Sequence, residues 1–210
     1  MEDIVNFAYQ WMQSDPSGHD FYHAKRVATT AVNLFQKDYP NDEHGIKLIK
    51  IMAYLHDTID EKLTDDSSKR LSEIKKLDTI KELSLEDQSN IFNTIQKMSY
   101  SKNLHEQQIL SIEGQYVQDA DRLDALGAIG IARAFAYGGV HHQLIYDETK
   151  PQKQFESATQ YHNHQGTTIN HFYEKLLKLE NLMNSPSAKK LAHERTDFMR
   201  EFLREFDKEK

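Results

Sequence analysis

The chain has 210 residues, 26 of them basic and 33 acidic, for a formal charge of −7 with histidines neutral. That balance argues against nucleic-acid binding through a broad basic surface. There is no cysteine, which excludes disulfides, thiolate metal sites and cysteine nucleophiles, so any metal must be held by nitrogen and oxygen. The longest apolar run, residues 125–132, falls far short of the ~20 residues that a membrane helix needs. Glu2 and Asp3 open a stretch without the basic-then-apolar pattern of a secretory signal, so the expected location is the cytoplasm.

Helical periodicity dominates and no stretch alternates apolar and polar residues for long, so the expected fold is all-α. Residues 2–13 carry Ile4, Val5, Ala8, Trp11 and Met12 on one face, and Asp15-Pro16-Ser17-Gly18 ends that helix as a turn. From His19 onward Ala24, Val27, Ala28, Ala31, Val32 and Phe35 recur at three and four, until Tyr39-Pro40-Asn41-Asp42 interrupts. Residues 44–56 are apolar on most of their circumference, which predicts a central buried helix. Residues 61–70 are charged and small and read as a solvated loop, before weaker amphipathic helices at 71–80 and 85–98. A helix pair is predicted at 112–119 and 122–137, ended by Gly138-Gly139 in left-handed conformations. The polar stretch 140–165 reads as irregular. Two long helices close the chain, at 167–183 and, behind Ser185 as N-cap and Pro186 at the first position, from 186 to about 208.

The 11 histidines are the unusual feature of the composition, because imidazole binds borderline metals and titrates near neutrality. Two His-Asp dipeptides occur, little more than composition gives by chance. His56-Asp57 stands out because it ends an apolar helix, where buried polar groups are expensive unless they hydrogen-bond or hold a metal. Taken alone, a capping or satisfied-core role is the commoner reading for such a pair. Upstream, His19, Asp20, His23 and Arg26 share one predicted helix, with His19 and His23 at i and i+4 on one face. Downstream, Asp119, Asp121 and Asp124 surround Arg122 among small residues, a pattern that fits a salt-bridged helix end as well as a polar centre. The later histidines, His141, His142, His162, His164 and His171, have no ligand-like neighbours in sequence and read as surface residues.

Three stretches, HDFYHAKRV at 19–27, AYLHDTIDEK at 53–62 and QDADRLDALGAIGIARAFAYGG at 118–139, resemble the small single-domain bacterial branch of the HD-domain metal-dependent phosphohydrolases. The resemblance covers most of the chain. It implies one helical domain over residues 1–210, with a metal site drawn from about 19–124 and the closing helices at 167–208 packed on it. It also implies that His23, His56, Asp57 and Asp121 ligate one divalent ion, and the sequence departs from the family pattern at none of these positions. Two imidazoles and two carboxylates leave an octahedral ion two open positions, which suits Mn²⁺, Fe²⁺, Co²⁺ or Mg²⁺ better than a closed zinc site. Asp60, and after it Glu61, resemble the acid/base positions of related hydrolases. Arg26 and Lys62 are the candidate phosphate clamps, since an acidic protein needs local cations to bind a polyanion. His19 is either a support for a ligand or a hydrogen-bond donor to substrate, and Lys102 a contact at the rim.

The expected function is hydrolysis of a phosphorylated small molecule, foremost a nucleoside or deoxynucleoside triphosphate cut to monophosphate and pyrophosphate, with neither nucleic acid nor membrane as partner. The rival is a nucleotide-binding regulatory module that kept the fold and metal site without turnover. A purely structural helical protein is a third reading, for which buried His56, Asp57 and Asp121 would be costly decoration.

Overall fold

The computed structural model describes residues 1–60, 66–104, 106–155, 157, 159, 160, 164 and 166–210. Among them the regular structure is entirely helical: α1 (Glu2–Met12), α2 (Phe21–Asp38), α3 (Glu43–Leu55), α4 (Ser67–Ile74), α5 (Asp78–Lys81), α6 (Leu85–Lys97), α7 (Ile112–Asp124), α8 (Gly127–Val140), α9 (Thr168–Glu174) and α10 (Pro186–Glu209). Short 3-10 turns occupy Ser101–Asn103 and Leu176–Leu182. The chain divides into two compact units, one of Met1–Asp15 with His19–Gln118, the other of Pro16–Gly18 with Asp119–Lys210.

In the first unit α2 packs along α3, with α1 and α6 on α3. Their apolar stripes meet in a core of Ile4, Ala8, Met12, Val27, Ala31, Phe35, Ile49, Met52 and Leu55. Each of the two central helices starts on an aspartate. Asp20 accepts a hydrogen bond from the backbone N–H of His23 at 2.7 Å, and Asp42 accepts from that of Gly45 at 2.8 Å. Such caps satisfy N–H groups that a helix start otherwise leaves unpaired. Gly45 is required by packing, because a Cβ there would lie 2.7 Å from the Phe35 ring.

The expected solvated loop at 61–70 is corrected over its described part. Asp66 caps α4 by accepting from the Lys69 N–H at 2.8 Å. Arg70 is buried, its guanidinium carbon 3.3 Å above the Trp11 ring. Burial lowers the Arg70 pKa, and stacking on the indole face together with the Glu73 carboxylate at 3.3 Å offsets part of that cost. The helix predicted at 71–80 is split into α4 and the single turn of α5.

In the second unit α8 packs against α9 and α10, and α10 also lies on the 176–182 turn. Phe172, Phe135 and Phe202 form a mutual cluster, with Phe172 6.1 and 5.8 Å from the other two rings. Three expectations fail in this half. The break between α7 and α8 falls at 125–126 and not at 120–121, because Leu126 is extended and Gly127 adopts φ +72°. Gly138 and Gly139 lie inside α8, and the left-handed residue after it is His142 at φ 54°. Gly138 instead allows close approach, since a Cβ there would stand 2.3 Å from Thr168 Oγ1. The long helix expected at 167–183 breaks at Lys175, whose φ of −134° ends α9 before the 3-10 turn.

Candidate metal centre

The site in the first unit is built where α2 begins and α3 ends. Asp20 fixes the first turn of α2, which sets His23 in that turn facing inward with no exposed surface. His56 caps the end of α3 in right-handed helical geometry, and the chain then turns through residues 56–59. Asp60 follows in this turn and not on a continuation of α3, its N–H donating to the Asp57 carbonyl at 3.0 Å. Thr58 ties the turn back to α3 by donating its hydroxyl to the Leu55 carbonyl at 2.7 Å. Two groups of α4 hold the turn from outside: Ser67 Oγ donates to the Ile59 carbonyl at 2.9 Å, and Arg70 donates to the Thr58 carbonyl at 3.4 Å.

The donor atoms converge. His23 Nε2 and His56 Nε2 are 3.2 Å apart, and Asp57 approaches both, Oδ2 to His23 and Oδ1 to His56, each at 3.3 Å. His56 Nδ1 donates to the Ala53 carbonyl at 2.8 Å, which fixes the ring with Nε2 toward His23 and Asp57. Two ring nitrogens and a carboxylate aimed at one another in a buried place could hold a cation between them. The negative end of the α3 dipole lies at the same place and favours one.

His19 completes the cluster from the loop before α2. Its Nδ1 donates to Asp57 Oδ2 at 3.0 Å, and its backbone N–H is held by the Asp15 carboxylate at 2.7 Å. The ligand atoms of His19, His23 and Asp57 lie within 4.8 Å of one another, a spacing that can hold a metal ion. Burial on its own would push the Asp57 carboxyl up, but the adjoining His56 and His19, with the hydrogen bonds of His19 and His23, hold it well below the usual carboxylate range. Asp57 is thus an anion at neutral pH.

The other predicted residues lie in four different settings. Arg26 is half-buried on α2 one turn beyond His23, and on a helix that spacing puts it on the flank of the same face. Asp121 belongs to the second unit, on α7 two residues past the fully buried Asp119. Lys102 donates its amine to the Gln96 carbonyl at 2.7 Å, closing the last turn of α6. Glu61 and Lys62 lie outside the described residues, as does His162.

Two residues depart from what their sequence context suggests. Arg70 supports the turn that carries Asp57, and only its pairing with the distant Trp11 could have signalled burial. His164, expected at the surface, instead pairs with the buried Glu174 at 3.2 Å.

The HD domain family model matches residues 20–126, the stretch that carries His23, His56, Asp57 and Asp121. A crystal structure from Lactobacillus plantarum is similar over 99% of this chain and 95% of its own, at 41% identity and a TM-score of 0.88. The complex of Bacillus subtilis YpgQ with ADP matches at 34% identity and a TM-score of 0.74, over 98% of this chain and 97% of that one. An HD-superfamily hydrolase from Bacillus thuringiensis matches at 36% identity and 0.72, over 99% and 95%. The paired histidines and aspartate where α2 begins and α3 ends therefore sit within a chain that belongs to the HD domain family and has the fold of an HD-superfamily hydrolase.

Proposed function

We propose that this chain is a metal-dependent phosphohydrolase acting on a nucleoside or deoxynucleoside triphosphate and releasing the monophosphate and pyrophosphate. The observation that carries the reading is the meeting of His23, His56 and Asp57, two imidazole nitrogens 3.2 Å apart with one carboxylate against both. His23, His56, Asp57 and Asp121 are the residues that would hold the ion. A divalent cation bound there supplies charge stabilisation for the phosphoryl group and lowers the pKa of an attacking water. The all N/O donor set suits Mn²⁺, Co²⁺, Fe²⁺ or Mg²⁺.

The protein's own groups do the rest. His19 holds Asp57 in place through Nδ1, in the manner of an outer partner that orients a ligand. Arg26 clamps phosphate oxygens from the flank of His23, with Lys62 as the second cation. Asp60 moves the proton of the attacking water or the leaving group, with Glu61 the second choice. Lys102, one of whose three amine protons is given to the Gln96 carbonyl, is the contact at the rim. The nucleotide assignment is supported by YpgQ, which has been crystallised with ADP and is 34% identical to this chain.

The test is a panel of nucleoside and deoxynucleoside triphosphates incubated with the purified protein, with products separated and pyrophosphate distinguished from phosphate. Excess chelator should abolish turnover, and Mn²⁺ or Co²⁺ should restore it. Full activity in chelator overturns metal dependence. Tight nucleotide binding without turnover would instead make the chain a regulatory module.

A further inference from the structure

The half of α7 that belongs to the second unit is fastened by buried polar groups whose purpose is not packing alone. Asp119 has no exposed surface, yet it carries a carboxyl group. Both of its oxygens are saturated by the turn before α10: Oδ1 accepts from the Asn184 backbone N–H at 2.7 Å and its side-chain amide at 2.9 Å, and Oδ2 accepts from the Ser185 N–H at 2.8 Å and hydroxyl at 2.9 Å. Ser185 in turn caps α10 through the Ala188 N–H. One turn further along α7, the buried Arg122 donates to the Leu182 carbonyl. From the opposite direction, Arg195 on α10 donates to the Leu123 carbonyl at 2.5 Å. Beyond it, Asp124 pairs with Arg133 of α8 at 3.0 Å.

Asp119 and Arg122, with the Leu123 carbonyl beside them, are bonded along one flank of a segment of about a turn and a half, and such bonds fix something that apolar packing leaves soft, the rotation of the helix about its own axis. Successive helical residues are rotated by 100°, so Asp119 and Arg122 share a side while Asp121 points about 200° away from Asp119. Fastening Asp119 and Arg122 to residues 182–185 therefore sets the direction in which Asp121 projects. An apolar pair of similar volume would fill the same space at less desolvation cost, but without directional bonds.

We infer that Asp119 is a positioning residue for the metal centre, acting through Asp121 by locking the rotation of α7 against the 182–185 turn. The inference rests on the reading of Asp121 as a ligand. Asp119 touches neither substrate nor ion in this account; it determines how well Asp121 is aimed. Groups that orient ligands change metal affinity by roughly 10–100-fold when removed.

The test is a cycle of Asp119→Asn, Asp121→Ala and the double variant, with Mn²⁺ affinity measured by calorimetry and folding followed by thermal melting without metal. Asn keeps the shape of Asp119 but turns an acceptor oxygen into a donor facing donors. It should weaken Mn²⁺ binding about tenfold, and it should weaken it no further once Asp121 is gone. Phe172→Leu, which loosens the core of the second unit away from α7, serves as the control and should lower the melting temperature while leaving Mn²⁺ affinity unchanged. Should Asp119→Asn fail to fold, Asn184→Ala and Ser185→Ala each remove partners of one oxygen and should weaken binding severalfold. A destabilised Asp119→Asn, or failing that the Asn184→Ala and Ser185→Ala variants, binding Mn²⁺ as tightly as wild type would reduce Asp119 to a structural group and overturn the inference, with Asp121 still a ligand. An Asp121→Ala protein with unchanged Mn²⁺ affinity would overturn the ligand reading itself, and the inference with it.

Discussion

The same two residues, His-Asp, occur at the two ends of one helix pair and do different work. His19-Asp20 precedes α2, and there the aspartate is spent on the helix: its carboxylate caps the His23 N–H, and the histidine reaches out to Asp57. His56-Asp57 follows α3, where no N–H needs capping and the helix dipole ends negative, so both side chains turn to the same centre. A dipeptide therefore says little about chemistry until its place relative to a helix is known. The first dipeptide builds the start of the helix that aims His23, and the second supplies the side chains proposed as ligands.

Substitutions can break this comparison at graded strengths. The largest effect without loss of the ion is expected past the second dipeptide, where Asp60→Asn should keep metal content and lower turnover by roughly 10² to 10⁴, the range of a lost general acid or base. Metal analysis with steady-state rates checks it, and metal lost together with activity would make Asp60 a ligand. Next comes the link between the dipeptides: His19→Gln removes the Nδ1 donor to Asp57 and should weaken Mn²⁺ binding about tenfold, read by calorimetry. Smaller still, Asp20→Ala should cost about 1 kcal/mol of stability in a denaturant melt, as a lost N-cap does. The smallest effect is Asp20→Asn, which retains a capping oxygen and should melt within a few tenths of a kcal/mol of wild type, with Mn²⁺ still raising its melting temperature.

The first unit was the more legible half. The stripes of α2 and α3 are continuous at three and four, their caps are local aspartates, and His23 and His56-Asp57 sit at helix ends that the pattern itself marks. The second unit was legible as helical and misplaced in its breaks, because its decisive contacts are long-range. Asp119 and Arg122 fit a salt-bridged helix end in the sequence, yet both are buried within an unbroken helix and bonded to the turn at 182–185. Gly138 looks like a helix stop and is instead the point where Thr168 comes close. Arg70 reads as surface charge until Trp11 is placed over it, and His164 until Glu174 is placed beside it. In each case the misread residue is polar or small and its partner is distant along the chain or in another element.

The central claim is that Asp57 holds a divalent cation, and the most direct measurement is a thermal melt of wild type and Asp57→Asn, each with and without Mn²⁺. A ligand bound only by the folded state at a hundredfold excess over its Kd stabilises by about 2.7 kcal/mol, which for a chain of this size is roughly 5 to 10 °C. Wild type should show that rise. Asp57→Asn, nearly isosteric and relieved of a buried charge, should fold, lose activity and melt at the same temperature with or without the ion. An equal Mn²⁺ shift in both proteins would mean that the cation sits elsewhere and that the assignment of Asp57 is wrong.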